Sequence, residues 1–187
     1  KYLGPDPLRE VFNFATSKAI HTNLLIVWCL TGFMGATYYI VPEESRTEIH
    51  SERLAWLQLA LWLAIGVAAI VCYVLGITEG RKLLEMPFPL KLGVVAVMGI
   101  FLYNVGMTIK KAGRITTTEG VLIGGLASAA ALFIPALIHF DNYTLDRFYR
   151  WWVVHLWVEG VWELILGGIL AFLLIRLSGA DREVLEK

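Results

Sequence analysis

The chain has 187 residues, 57% of them hydrophobic, and its mean hydropathy of +0.64 exceeds what a soluble domain needs to build one core. Its 16 basic and 16 acidic residues cancel and lie between the apolar runs. That pattern excludes a nucleic-acid footprint, which takes Lys and Arg clustered on one face. The expectation is an all-α, polytopic transmembrane helix bundle set in a lipid bilayer, with no soluble domain.

Gly4, Pro5 and Pro7, followed by Phe12 and Phe14, read as an irregular interfacial segment leading into a helix, with Ser17 as a candidate cap. The chain opens on Lys1 rather than Met, shows no signal peptide, and reads as a piece of something longer. The first spanning segment is expected over residues 18–41, with His21 as its ionisable interior group and Pro42-Glu43-Glu44-Ser45 as its stop. A charged loop containing His50 precedes the second span, residues 54–77. The connection from Thr78 to Pro87 leads to the third span, 90–109, and the basic turn Lys110-Lys-Ala-Gly-Arg114 to the fourth, 120–138. Gly124, Gly125, Ala127 and Ala129 to Ala131 in the fourth predict close helix contact. Cys29 and Cys72 fall in apolar runs and read as buried small hydrophobes, and His139, like His50, as a solvated residue near a loop.

The fifth span, 148–177, is near thirty residues long. At 1.5 Å per residue it reaches about 45 Å against a hydrocarbon core of about 30 Å, so its first turns are expected in the interface, where Trp151 and Trp152 belong. Lys and Arg divide evenly between the two sides, and the compact turn at Lys110 to Arg114 places that side in the cytoplasm. Three spans separate the first from the fifth, so both run in the same direction. His21 and His155 therefore face the same, outer side.

Within the fifth span stands Arg150-Trp-Trp-Val-Val-His-Leu-Trp-Val-Glu-Gly-Val-Trp-Glu-Leu164. His155, Glu159 and Glu163 are four apart, which stacks them on one helical face. Each ionisable group in a span costs about 2.5–3.5 kcal/mol on insertion scales, so the face needs compensation. Metal coordination is one form, and imidazole with carboxylate suits non-heme iron. An interhelical hydrogen-bond cluster or a metal-free proton path is the other. Trp152, Trp157 and Trp162 recur every five residues and read either as a dry wall for this face or as packing and interface anchors. Gly160 and Gly167-Gly168 leave room for another helix or a flat cofactor.

The run Trp151 to Ile165, together with Asp181-Arg-Glu-Val184, His21-Thr-Asn-Leu-Leu-Ile-Val-Trp28, Gly32-Phe-Met-Gly35, Val41-Pro-Glu-Glu-Ser45 and Tyr103-Asn-Val-Gly-Met-Thr108, resembles the catalytic subunits of cytochrome c-dependent nitric oxide reductases, in the heme-copper oxidase superfamily. The resemblance runs from about Phe12 to the C-terminus. It implies that His21 is an axial ligand of a low-spin heme b. It also implies that His155 and Glu159 bind the non-heme iron facing a high-spin heme b, and that Glu163 is a second buried glutamate serving proton delivery. The implied reaction reduces two NO to N2O and water in a bacterial cytoplasmic membrane. Electrons would come from a cytochrome c or similar donor through a heme c-containing small subunit.

Two departures from the family pattern bear on the cofactors. In relatives the loop after the second span carries Gly-Arg-Glu-x-x-Glu, whose arginine lies near heme propionates and whose first glutamate binds calcium. Here it reads Gly80-Arg-Lys-Leu-Leu-Glu85, so Arg81 is kept while Lys82 takes the calcium ligand's place, and a lysine ammonium is expected instead of calcium. Lys18 stands where relatives carry an arginine, which makes it a second candidate for the propionates. Relatives have about twelve spans against five here, so the chain is expected to hold part of each iron site and to be inactive alone. The alternatives are a quinol-dependent NO reductase or NO dismutase-like relative within the superfamily, and, in a different class, a non-enzymatic helical protein or proton-coupled transporter fragment.

Overall fold

A computed structural model describes residues 12–185. Five helices long and apolar enough to cross a membrane fill most of that range. They are α1 (Phe14–Ser45), α2 (Glu52–Val74), α3 (Phe88–Ala112), α4 (Thr117–Phe133) and α5 (Tyr143–Ser178). A 3-10 turn, Pro135–Leu137, extends α4, and a short helix α6 (Arg182–Leu185) follows α5.

Local chemistry sets the ends. Asn13 caps α1 by accepting from Thr16 N at 3.0 Å, so the helix starts before the expected cap Ser17, whose hydroxyl instead donates to Phe12 O. The residues before Phe12, with Gly4, Pro5 and Pro7, lie outside the described range. Pro42 does not stop α1. It sits in the last turn, where its missing N–H removes one bond only, and the helix closes at Arg46 in the left-handed region with its N–H on Pro42 O. Ser51 caps α2, Pro89 stands in the first turn of α3, and Thr116 with Glu119 forms a capping box on α4.

α1 is the hub, touching each of α2 to α5. The closest approach is between α4 and α5. A Cβ on Gly125 would stand 2.8 Å from Ile165 Cγ1, and one on Gly168 would meet the Leu122 backbone at 3.4 Å. These glycines let two helices meet at backbone distance, as the small-residue run in α4 anticipates. Phe101, Leu122, Ala129 and Ile165 are wholly buried in the resulting core. Inside the bundle Trp62 donates to Thr31 Oγ1 at 2.8 Å and Trp157 to Ala129 O at 2.7 Å, so buried polar groups meet partners on neighbouring helices.

The motif around Tyr103 ties a loop. Asn104, fully buried in α3, accepts from Ser51 N at 3.0 Å and donates to Ser51 O at 2.9 Å, and Thr108 accepts from His50 N at 3.0 Å. That pins the 46–51 connection. α1 and α5 run parallel. Thr22 and Leu25 near the start of α1 share a cavity with Val153 and Trp157 of α5, while Tyr39 and Phe172 meet edge to face further along.

Candidate metal and heme centre

α5 is not a uniform α-helix. Residues Trp157–Val161 form a π turn, closed by Trp162 N–H on Trp157 O. Such single turns cluster at functional sites because they widen the helix and re-aim side chains. Glu159 and Gly160 sit at its centre. The five-residue step from Trp157 to Trp162 is the step of this turn. The two indoles stand 6.2 Å apart on the inward face, Trp157 stacked on Phe133 and Trp162 edge-on to Phe33. Trp152 is separate, exposed and stacked on Tyr149.

On the outward face His155 Nδ1 stands 3.2 Å from Glu159 Oε1. Both side chains are well exposed, 61% and 65%, and Glu163, a turn further on, is exposed and has no partner among the described residues. The stripe read as interior to an apolar span thus lies on a face that this chain leaves open. A Cβ on Gly160 would meet nothing within 4 Å, so the same face is sterically free. Among the described residues no three His, Cys, Asp or Glu side chains converge as a complete metal site.

The donor pair fits a shared metal ion. Two ligands at about 2.1 Å from one ion and a right angle apart are separated by roughly 3 Å, close to the observed 3.2 Å. Nitrogen with carboxylate oxygen is also the donor chemistry that iron accepts. The two residues supply part of a coordination sphere.

His21, on the third turn of α1, is exposed and has no partner among the described residues, so both ring nitrogens are unengaged. Its neighbours Thr22 and Leu25 face α5 across an apolar cavity of about 180 Å³ that Leu84, Phe133, Val154 and Trp157 also bound. Leu25 stands one turn beyond His21 and Val154 precedes His155, so the two histidines lie at comparable depth. The buried Nε1 of Trp162, at the wall of this cavity, has no hydrogen-bond partner among the described residues.

The connection 75–87 folds over this end of the bundle, with Gly80 and Leu83 at positive φ. Arg81, 5% exposed, is its anchor. The guanidinium donates to Ala136 O at 2.9 Å, to Ile138 O at 3.0 Å and to Asp146 Oδ1 at 2.9 Å, with a longer contact from Nε to Asp146 Oδ2. One N–H remains for another acceptor. Asp146 in the first turn of α5 was not singled out in the sequence, where it is one charge in a polar loop. Beside it, Glu79 pairs with the buried Lys91 and lies 3.2 Å from His139 Nε2. Glu85 accepts from Asn23, two residues past His21, at 2.9 Å.

Lys18 and Lys82 are both exposed and line one cleft of about 500 Å³ together with Glu85 and Tyr73, whose buried hydroxyl lacks a partner among the described residues. Lys82 Nζ also lies 5.2 Å above the Trp151 ring. Two ammonium groups from separate elements therefore reach the same opening, beside the helix that carries His21.

Known proteins resemble the chain along nearly its whole length. The family model described as cytochrome c and quinol oxidase polypeptide I matches residues 2–186. A nitric oxide reductase subunit from Stutzerimonas stutzeri is 46% identical over 201 residues, an alignment covering 100% of this chain and 42% of that relative. The chain thus spans less than half the length of the curated protein it matches.

Proposed function

The chain belongs to the cytochrome c and quinol oxidase polypeptide I family, and from that membership we propose that it forms part of a membrane nitric oxide reductase, an oxidoreductase that reduces two NO to N2O and water. The observation that carries this reading is the His155–Glu159 pair, 3.2 Å apart at a π turn and turned away from the bundle. In the complete enzyme a low-spin and a high-spin heme b and a non-heme iron would supply electrons and bind and polarise NO. Calcium is left out of this set, because Lys82 replaces the ligand that the family pattern would supply.

The proposal gives each residue a task. His155 and Glu159 would hold the non-heme iron, their outward face completed by ligands from outside this chain. Glu163, unpartnered and one turn away, would hold or relay a proton. His21 would be an axial ligand of the low-spin heme b. Lys18 and Lys82, converging on one cleft, would face the propionate carboxylates, and Arg81 would offer them its remaining N–H while holding the loop in place. Partners in this reading are a heme c-containing small subunit with a soluble cytochrome c or similar donor, in a bacterial cytoplasmic membrane.

Metal analysis of the complete protein tests the assignment. Total iron should exceed heme iron by one atom per chain, and Glu159→Ala should remove that atom together with NO consumption. A preparation active in NO reduction with only heme iron, or with turnover unchanged in Glu159→Ala, would refute it. His21→Ala should abolish the low-spin heme spectrum while leaving non-heme iron bound.

A further inference from the structure

The opposite end of the bundle carries a second polar feature. Arg46 at the close of α1, Arg114 and Thr116 in the turn between α3 and α4, and Arg176 in the last turn of α5 line one cleft of about 590 Å³, with Glu43 and Glu44. Arg176 pairs with Glu43, both about half exposed. Arg114 spends one N–H on Glu44 O at 3.1 Å. The Arg46 guanidinium has no partner among the described residues, although its backbone is fixed by the N–H bond to Pro42 O. Lys110 and Lys111 close α3 just before the turn.

We propose that this cleft binds the phosphate of an anionic phospholipid headgroup. Three guanidiniums from three separate elements converge, and most of their N–H donors are unengaged. Planar forks of this kind match phosphate oxygens two at a time. The cleft lies at the level of the helix ends, where headgroups sit, on the side that the basic turn assigns to the cytoplasm, and basic pockets between spanning helices on that side suit acidic lipids. Ile115, exposed beside Arg114 in the turn between α3 and α4, gives an acyl chain an apolar surface and favours a lipid over free phosphate. A headgroup there would join the end of α5 to the end of α1, on the helix that carries the candidate centre.

Native mass spectrometry of the complete protein, titrated in detergent with phosphatidylglycerol or phosphatidylcholine of matched chains, tests this. The wild type should retain phosphatidylglycerol at least tenfold better. Arg46→Gln combined with Arg176→Lys, which keeps the Glu43 pair but loses the fork, should bring the preference below twofold. Arg147→Gln, the same type of charge loss at the other end, should leave it unchanged. If the double variant fails to fold, Arg46→Gln alone decides, with at least a threefold loss expected, because that side chain holds nothing in the fold. Equal retention of the two lipids, or a preference that survives Arg46→Gln, overturns the proposal. Displacement of phosphatidylglycerol by an equal concentration of inorganic phosphate overturns the lipid assignment.

Discussion

Replacing Arg81 with alanine separates a structural clamp from a cofactor contact, because the two roles fail in different states of the protein. The guanidinium bonds to two backbone carbonyls and to both oxygens of Asp146, and the ion-paired side chains are 6% and 16% exposed. Removing one partner of a buried pair costs about 3–5 kcal/mol, and each abandoned carbonyl adds about 1 kcal/mol. Water reaches the partly exposed Asp146 and Ile138 at the helix end, so a net loss of about 3 kcal/mol is expected, roughly a hundredfold in the folding equilibrium. Arg81→Lys keeps the charge without the fork and should lose about half as much. Adding Asp146→Asn to Arg81→Ala should recover about 1 kcal/mol, since the orphaned carboxylate is then gone. Denaturant unfolding of the complete protein in detergent, with and without heme, measures these values, and protease cleavage near Gly80 reports the loop directly. A loss under about 1 kcal/mol in the heme-free protein, with only the heme spectrum moved, would show that Arg81 acts through the propionates and not as a clamp.

Three further outcomes follow from the same geometry. Glu159→Ala should lower non-heme iron occupancy and NO consumption together by at least about 100-fold, since changes even in groups behind the ligands cost 10- to 100-fold; an unchanged ratio of total iron to heme iron would refute it. Gly168→Ala should destabilise the α4–α5 contact by about 1–3 kcal/mol, because its Cβ meets Leu122 backbone, whereas Gly160→Ala meets nothing within 4 Å and should change thermal stability little while reducing metal or heme content. Equal thermal shifts in the two variants would count against the packing. Asn104→Ala, which strands the Ser51 N–H and C=O, should cost about 2–3 kcal/mol and speed amide exchange in residues 46–51 specifically.

How much of this was legible in the sequence depends on the range of each interaction. The helices were, because apolar stretches as long as residues 90–109 exceed a barrel strand and fit a spanning helix. Gly125 and Gly168 were legible as packing residues, although not as partners of Ile165 and Leu122, since pairing is settled across the bundle. The stacked face of His155, Glu159 and Glu163 assumed a uniform helix, and only the first pair meets. The π turn between them left one trace, the Trp157–Trp162 step of five, which reads equally as anchoring until both indoles are seen facing inward. Asp146, Glu79 and Lys91 were illegible: each appears as one charge among several in loops or at a helix start, and what singles it out is a partner distant in sequence. Pro42 misled because a proline loses only the bond to the carbonyl four residues back, while its own carbonyl still serves the following turn, here accepting from Arg46 N–H.

The exposure of the His155 stripe is itself an argument about what surrounds it. α5 is 36 residues long, about 54 Å at 1.5 Å per residue, and His155 to Glu163 occupy the stretch about 18–30 Å from its start. With a hydrocarbon core of about 30 Å centred on the helix, that stretch lies inside the apolar layer. Three ionisable groups turned to lipid there would cost several kcal/mol in sum, which the single His155–Glu159 contact offsets only in part. Helices whose polar stripes face lipid do not persist, so this stripe requires a polar or metal-bearing partner from outside the described residues. The open face, the His–Glu pair at the separation of two ligands on one ion, and the unpartnered His21 across the apolar cavity then have one common reading. In the function proposed above they would form the near wall of a centre whose far wall other helices would supply, and coverage of this face, not its isolated geometry, would then be the condition for activity.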